Sequence, residues 1–375
     1  MKFETTHIFM TLDEPIAEVT LYDGSIMEYK HINPKLLPHS VSDRSSFRDW
    51  FTSRKIPASR AHLDELQQKT GLSMDQLLEK SWGLSLSDSY WIKPVEENVK
   101  WKDINFFEND FTDDVGEFLV EGKELGSLFS PSNTTDGVMK KKWIIKNGIR
   151  YLVKQAPENM GTQHLNEVLS YQIAKTLGLP IIPYFLCGNN SCMCPNLVRN
   201  GQNLVPIFHW LNHQKVDISS RDACQKLYPV LSSILTKKWL DGMLLLDYIT
   251  MNSDRHLKNI SLLQDAKTCK ILGPSFIFDN GNSLMHSINR DADDPFMNIK
   301  EHSRPITSPH SRQILLADVS PWKEQLNILD GKIQNLTFDV FENQGLRDFL
   351  VEGLAITLQT RVRNMIKQAS HTISN

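Results

Sequence analysis

Polar and apolar positions alternate along several short runs in the first half of the chain, and the turns between them are marked. Residues 17–22 and 25–29 flank Asp23-Gly24, a dipeptide suited to the positive φ angles of a tight turn, so a hairpin is expected there. From about 46 to 80 the spacing becomes helical, with Leu63, Leu66, Leu77 and Leu78 at helix-like intervals and Pro57 and Gly71 as breaks. Residues 138–146 and 149–155 form a second hairpin pattern around Asn147-Gly148. Thr162 then opens a helix in which Leu165, Leu169, Ile173 and Leu177 recur every four residues, stopped by Gly178 and Pro180. Residues 181–187 and 191–198 read as further strands.

The second half is more helical. Residues 223–251 predict two successive helices, the second of them (about 238–250) apolar around most of its circumference and so expected inside a lobe. Short strands follow near 260–263, 270–272 and 276–278, then an irregular stretch from about 285 to 311 rich in His, Pro, Ser and Asp. An amphipathic helix from about 343 to 367 carries Leu346, Phe349, Leu350, Leu354 and Ile356. There is no internal repeat and no low-complexity tract.

Residues 81–126 stand apart, with aromatics among acids: Trp82, Tyr90, Trp91, Trp101, Phe106, Phe107, Phe111 and Phe118, interleaved with Glu108, Asp110, Asp113, Asp114 and Glu117. The expected arrangement is a wrapping segment whose rings pack on the main body while the carboxylates stay in water. A docking surface for a basic peptide is the alternative. This divides the chain into an N-terminal hairpin and helical module (1–80), the wrapping segment (81–126), a β-rich lobe (127–200) and a helical lobe (201–375).

Composition narrows the function. At 375 residues, with 40% hydrophobic and 23% charged positions, the chain is long enough for two packed units and is not disordered. The net charge of −3 offers no overall positive field for a nucleic-acid backbone or an anionic membrane. Five cysteines, an odd number, argue against a secreted disulfide framework. The opening residues lack a basic region followed by an apolar run, and no stretch approaches a membrane span, so a cytoplasmic protein is expected. Cys187, Cys192 and Cys194 lack the paired spacing of a tetrahedral zinc site.

The chemistry concentrates in Asp254-Arg255-His256-Leu257-Lys258-Asn259 and, downstream, Phe278-Asp279-Asn280-Gly281. Both carboxylates end apolar elements. Phosphoryl transfer needs an acceptor for the substrate hydroxyl proton, plus oxygen ligands that hold Mg²⁺ against the phosphates of ATP. Protein kinases place these as Asp-x-x-x-x-Asn followed by Asp-x-Gly. On this spacing Asp254 faces the attacking oxygen, Asn259 offers a neutral metal ligand, Asp279 an anionic one, and Gly281 a sharp backbone turn. Lys154, on the second strand of the hairpin, suits the nucleotide phosphates, as the strand lysine of kinases does. Glu167 in the following helix is the candidate to anchor Lys154, although it lies off the leucine stripe. No G-x-G-x-x-G is present. The corresponding place holds Ser130-Pro-Ser-Asn-Thr-Thr-Asp-Gly137, whose amides and hydroxyls, Ser132, Thr134 and Thr135 among them, can contact phosphate. An exposed polar hairpin loop is the other reading.

The hairpin at 143–154, Asn166-Glu167, the run from Leu246 to Asn259 and Phe278-Asp279-Asn280-Gly281 together resemble the HipA-like serine/threonine kinases, over about residues 126–320. Residues 85–94 also look like the segment preceding the kinase in HipA-like proteins of Gram-positive bacteria. The resemblance implies an α+β, two-lobed, protein-kinase-like fold related to phosphatidylinositol kinases, with an N-terminal accessory module. It implies Asp254 as catalytic base, Asn259 and Asp279 as Mg²⁺ ligands, and Lys154 on the nucleotide. It has His256 ordering the loop or touching the γ-phosphate, unless it is a hydrogen-bonded core histidine. Residues Cys194 and Asn196 fall where the inter-lobe strand should hold adenine, and Ser130, Ser132, Thr134 and Thr135 are candidates for autophosphorylation. HipA-like proteins often pair with a small DNA-binding antitoxin in toxin–antitoxin systems. The motif order is shared with small-molecule and lipid kinases, and a catalytically weak interaction protein on the same fold is a further alternative.

Overall fold

The computed structural model describes residues 4–371 apart from 23–24, 59, 61, 136–138, 158–160, 189, 217–222, 288–294, 297–301, 304–307 and 343. The Asp23-Gly24 turn therefore lies outside the described residues, but the strands on either side of it pair. In the N-terminal module β1 (Glu4–Thr11), β2 (Glu14–Tyr22) and β3 (Ser25–His31) form an antiparallel meander. One face buries Phe9, Ile16, Val19 and Leu21 against Phe47 and Phe51 of α1 (Arg44–Ser53). Asp43 starts that helix by accepting the Ser46 amide at 2.8 Å while the Ser46 hydroxyl answers the Asp43 amide at 2.9 Å, a reciprocal cap. Helices α2 (Leu63–Thr70) and α3 (Met74–Lys80) follow.

The aromatic segment joins this module. Its strand β4 (Tyr90–Pro94) pairs with β1, giving the sheet order β3-β2-β1-β4. Trp91, Trp101 and Phe106 pack with Met10, Leu84 and Leu86, and Trp91 Nε1 donates to the Leu12 carbonyl at 2.7 Å. After the short α4 (Trp101–Ile104) comes α5 (Asp114–Glu121). Glu108 and Asp110 are exposed, but Asp113 is buried, which corrects the expectation that these carboxylates stay in water. The physical reason is its set of donors. Asp113 accepts the amides of Gly116 (3.2 Å) and Trp143 (2.6 Å) and the hydroxyls of Ser132 (2.6 Å) and Ser130, which replace its hydration. Burial still raises its pKa above the usual carboxylate range, against the opposing pull of Ser130 and Ser132.

The small lobe is an antiparallel sheet of order β5-β6-β8-β7, made from β5 (Lys140–Lys146), β6 (Ile149–Gln155), β7 (Phe185–Leu186) and β8 (Ser191–Pro195), with α6 (Gln163–Thr176) between β6 and β7. Strand 181–187 is shorter than the alternation predicts. Pro183 removes a ladder donor, and Ile181 instead makes a single parallel bridge with Ile277. Likewise β8 ends at Pro195 rather than at 198.

The large lobe begins with β9 (Gln202–Pro206) and α7 (Ile207–His213), continues through α8 (Ala223–Leu235) and α9 (Lys237–Thr250), and returns to β9 through β10 (Ser261–Asp265) and β11 (Ile271–Pro274). Residues 276–278 are not a strand beyond the Ile277 bridge. Helix α9 is buried from Trp239 to Thr250, as its apolar circumference requires. Around it pack α10 (His310–Gln313), α11 (Lys323–Asp330), α12 (Ile333–Phe341) and α13 (Asp348–His371), the last starting later and running further than the leucine pattern indicates.

His310 is buried, and burial, with Arg361 nearby, lowers its pKa from 6.5 to about 3. The unfolded chain takes up this proton below 6.5 while the native state refuses it, so stability falls as pH drops from there toward the native pKa. Urea unfolding from about pH 7 to about pH 5 should show this loss, up to roughly 1.4 kcal/mol per pH unit. His310→Gln should flatten the slope, and an unchanged slope would contradict a neutral buried imidazole.

Candidate active site

Strand β6 is the centre of the small sheet, and its register places Lys154 opposite Lys141 on β5 and Cys192 on β8. The Lys154 side chain is buried. Its Nζ donates to Glu167 Oε1 at 2.6 Å, Asp279 Oδ1 at 2.8 Å and the Tyr184 hydroxyl at 3.2 Å. Burial opposes the ammonium charge, but Asp279 and Glu167 outweigh it, so the pKa of Lys154 lies well above the ordinary lysine value. For Asp279, burial pushes the other way, but Lys154 and then Lys141 hold its carboxyl below the usual range.

Glu167 lies off the leucine stripe of α6 because it serves another surface. It is fully buried, and its Oε2 accepts the Asn280 amide at 2.8 Å. Beside it Asn166 Nδ2 donates to the carbonyls of Gly281 (2.8 Å) and Ser283 (2.7 Å). One face of α6 thus clamps the segment carrying Asp279. The backbone demand there falls on Asp279 rather than on Gly281. Asp279 has φ 61°, a left-handed conformation that disfavours a side chain by about 1 kcal/mol. At Gly281 the constraint is proximity instead, since a Cβ there would sit 3.3 Å from that of Gln163, a tight contact that favours glycine.

Asp254 follows α9 through a left-handed Met251 (φ 55°). Asn252 shapes the turn, its Nδ2 donating to Asp247 Oδ1 at 3.0 Å and its Oδ1 accepting the Asp254 amide at 3.1 Å. Asp254 Oδ2 accepts Asn282 Nδ2 at 2.9 Å, and Asn259 Nδ2 reaches the Asp254 carbonyl at 3.4 Å. The two motif segments therefore touch, through Asn282 three residues after Asp279. Asp279, Asn259, His256 and Lys154 line one cavity of about 570 Å³, while Asp254 is not part of that lining. His256 Nδ1 is buried with no partner among the described residues. Asp279 Oδ2 accepts no hydrogen bond from the described residues, and Asn259 adds an amide oxygen, so the donors present fit a hard divalent cation such as Mg²⁺.

Behind these residues lies a lock that spacing did not single out. Arg255 and Asp247 are both buried and paired, with Nε to Oδ2 at 3.1 Å and Nη2 to Oδ1 at 3.0 Å. The same guanidinium donates to the Phe278 carbonyl and Asn280 Oδ1, on both sides of Asp279. The available signal was Asp247 inside an otherwise apolar helix, since a buried carboxylate needs a partner. Lys141 was also missed. It lines the cavity, but in sequence it is one of three adjacent lysines.

The loop at 130–135 turns its hydroxyls away from the cavity. Ser132 is buried on Asp113 and does not line it. Thr134 and Thr135 do line it, but Thr134 Oγ1 donates to the Leu84 carbonyl at 3.1 Å and Thr135 Oγ1 to that of Ser132 at 2.9 Å. Arg60 of the N-terminal module donates to the Thr135 carbonyl at 2.9 Å. Asp136 and Gly137 lie outside the described residues. Cys194 and Asn196 line the cavity where the chain passes from β8 toward β9. Burial raises the Cys194 thiol to about 11, and Asn196 Nδ2 is engaged by the Leu86 carbonyl at 3.0 Å.

No protein-family model matches the sequence, and no curated protein matches it. Among solved structures, the chain is similar to HipA of Shewanella oneidensis, determined with HipB and operator DNA, at a TM-score of 0.50 and 14% identity over 96% of this chain and 97% of that one. The Helicobacter pylori proinflammatory kinase CtkA matches at a TM-score of 0.48 and 17% identity, over 66% of this chain and 96% of that one. At such identities the likeness is one of architecture. The chain has an α+β, two-lobed, kinase-like fold, with an N-terminal module beside the small lobe.

Proposed function

We propose that this protein is an ATP- and Mg²⁺-dependent serine/threonine protein kinase of the HipA-like type. The observation that carries the reading is Lys154 bridging Glu167 and Asp279 at a cavity that Asn259 also lines. Its volume suits a nucleotide. Lys154, kept charged by its two carboxylates, steadies the phosphates. The connector at Cys194 and Asn196 would face the base, and Thr134 and Thr135 line the same cavity. Mg²⁺ held by Asp279 and Asn259 would neutralise charge on the phosphate oxygens.

Asp254 orients the acceptor hydroxyl and takes its proton as the new oxygen–phosphorus bond forms. The bond from the γ-phosphorus to the bridging oxygen breaks and ADP leaves. Asn282 holds the Asp254 carboxylate in place, and His256 orders the loop through its backbone amide on the Asp254 carbonyl at 2.8 Å. Autophosphorylation belongs to this reading. Ser130 and Ser132 can accept phosphate only once they leave Asp113, and Thr134 and Thr135, which line the cavity, only once their hydroxyls leave the carbonyls of Leu84 and Ser132.

A cytoplasmic location and a small DNA-binding antitoxin partner also belong here. The Shewanella HipA structure contains HipB and operator DNA, and the net charge of −3 leaves DNA contact to such a partner. No helix among the described residues is long and apolar enough to cross a membrane.

The test is Mg-ATP added to the purified chain. At 100 times its Kd the nucleotide should add about 2.7 kcal/mol of stability, read as a raised Tm. Mass spectrometry after incubation should show added phosphate on Ser or Thr of the chain or of a protein acceptor. Phosphate appearing only on lipid or a small molecule would replace the acceptor class. Neither a shift nor any transfer would reduce the protein to an interaction scaffold.

A further inference from the structure

The charges that line the cavity are nearly all spoken for. The N-terminal module closes one side through His39, Ser87 and Asp88, and the Asp88 carboxylate is taken by Arg54 Nη1 at 2.6 Å. The other carboxylate in the lining, Asp279, is held by Lys154 at 2.8 Å. Lys141 stands opposite Lys154 on β5, near enough to Asp279 to lower its pKa. Lys258 differs. It lines the cavity and is exposed, and its ammonium makes no hydrogen bond or ion pair among the described residues.

The loop that begins at Asp254 fixes where this lysine stands. Lys258 lies in the 3₁₀ turn Leu257–Asn259, which the Asn259 amide closes on the His256 carbonyl at 2.8 Å. Helix α7 packs against the turn, and the Ile207 amide at its start donates to the Ile260 carbonyl at 2.8 Å. From α7, His209 lines the same cavity. It is half-buried and makes no hydrogen bond among the described residues. Burial, and then the nearby Lys258 charge, lower its pKa, so the ring is neutral near pH 7 and keeps one N–H to donate. An exposed ammonium beside an uncommitted imidazole N–H, with no carboxylate of the chain answering either, is suited to an anion.

Position decides which anion. Lys154 and Lys141 meet the nucleotide phosphates from the small-lobe strands. Lys258 is on the large-lobe side, four residues after Asp254, where a substrate chain must pass to bring its hydroxyl to that carboxylate. On the kinase reading above, we propose that Lys258 and His209 form an acceptor subsite that selects substrates with an acidic residue close to the phosphorylated Ser or Thr. The ammonium pairs with the substrate carboxylate and His209 donates beside it, while a basic residue at the same place is repelled by Lys258.

Rates of the full chain with Mg-ATP on Ser/Thr peptides, each position around the acceptor fixed in turn as Glu, Ala or Lys, test this. The wild type should favour a Glu peptide over its Ala counterpart by roughly fivefold in kcat/KM, the upper worth of a partly exposed ion pair, and disfavour Lys. Lys258→Ala should abolish the Glu preference and Lys258→Glu should reverse it toward Lys, both with the wild-type KM for ATP. His209→Phe keeps a ring but removes the donor, and should reduce the preference by about threefold. A raised KM for ATP in the Lys258 variants, with the peptide preference intact, would assign Lys258 to the nucleotide and overturn the subsite. So would a wild type that phosphorylates itself but no peptide, or all peptides alike. A wild-type chain that transfers phosphate to nothing, itself included, overturns the kinase reading, and this inference with it.

Discussion

Asp254→Asn is expected to lower phosphoryl transfer by roughly 10²–10⁴-fold, the usual worth of a positioned base, with little change in Mg-ATP affinity. The substitution is nearly isosteric. The side-chain amide oxygen of the variant can still accept Asn282 Nδ2, which Asp254 does at 2.9 Å, so the loop should keep its shape. Asp254 is also absent from the cavity lining that holds Lys154, Asn259 and Asp279, so nucleotide contacts are not removed with it. Single-turnover kinetics beside calorimetry would separate the two effects. Transfer at the wild-type rate would eliminate Asp254 as the base. Loss of nucleotide binding in a folded variant would move it from proton acceptor to ligand.

The second large effect is on stability. Arg255→Leu leaves the Asp247 carboxylate buried with only Asn252 as partner, and breaking a buried ion pair from one side costs about 3–5 kcal/mol. It also frees the Phe278 carbonyl and Asn280 side chain that flank Asp279, so turnover should fall beyond what the loss of stability explains. Asp247→Asn should be milder, since the amide oxygen still accepts from Arg255. Replacing both partners by apolar residues should recover much of the stability without the activity, because the penalty is the unpaired charge. Denaturant unfolding with kcat measured on the same variants checks this. If Arg255→Leu is as stable as the wild type, the lock has no energetic role.

Much of the local structure was legible because it rests on neighbours in sequence. Asn147-Gly148 takes left-handed φ angles of 52° and 74° between β5 and β6, as that dipeptide favours, and α6 ends at Gly178 with φ 68°. Pro183 and Pro195 cut short two strands whose alternation looked complete. The motif residues were nameable in advance, but the contacts among them were not. Lys154 meets Glu167 across 13 positions and Asp279 across 125.

By itself, then, the amino-acid order determined the hairpins, the start and stop of α6, and the spacing of Asp254, Asn259 and Asp279, because φ preferences and periodicity act over a few residues. Only the tertiary structure decided that Asp113 is buried on two serines, that Arg255 and Asp247 lock the segment around Asp279, and that the N-terminal module walls the cavity. A charged or polar group is sited by what desolvates it and by which donors or acceptors then answer it. In this chain those partners arrive from elements far apart in sequence, as with Ser89 and Asn203 or Asn166 and Gly281.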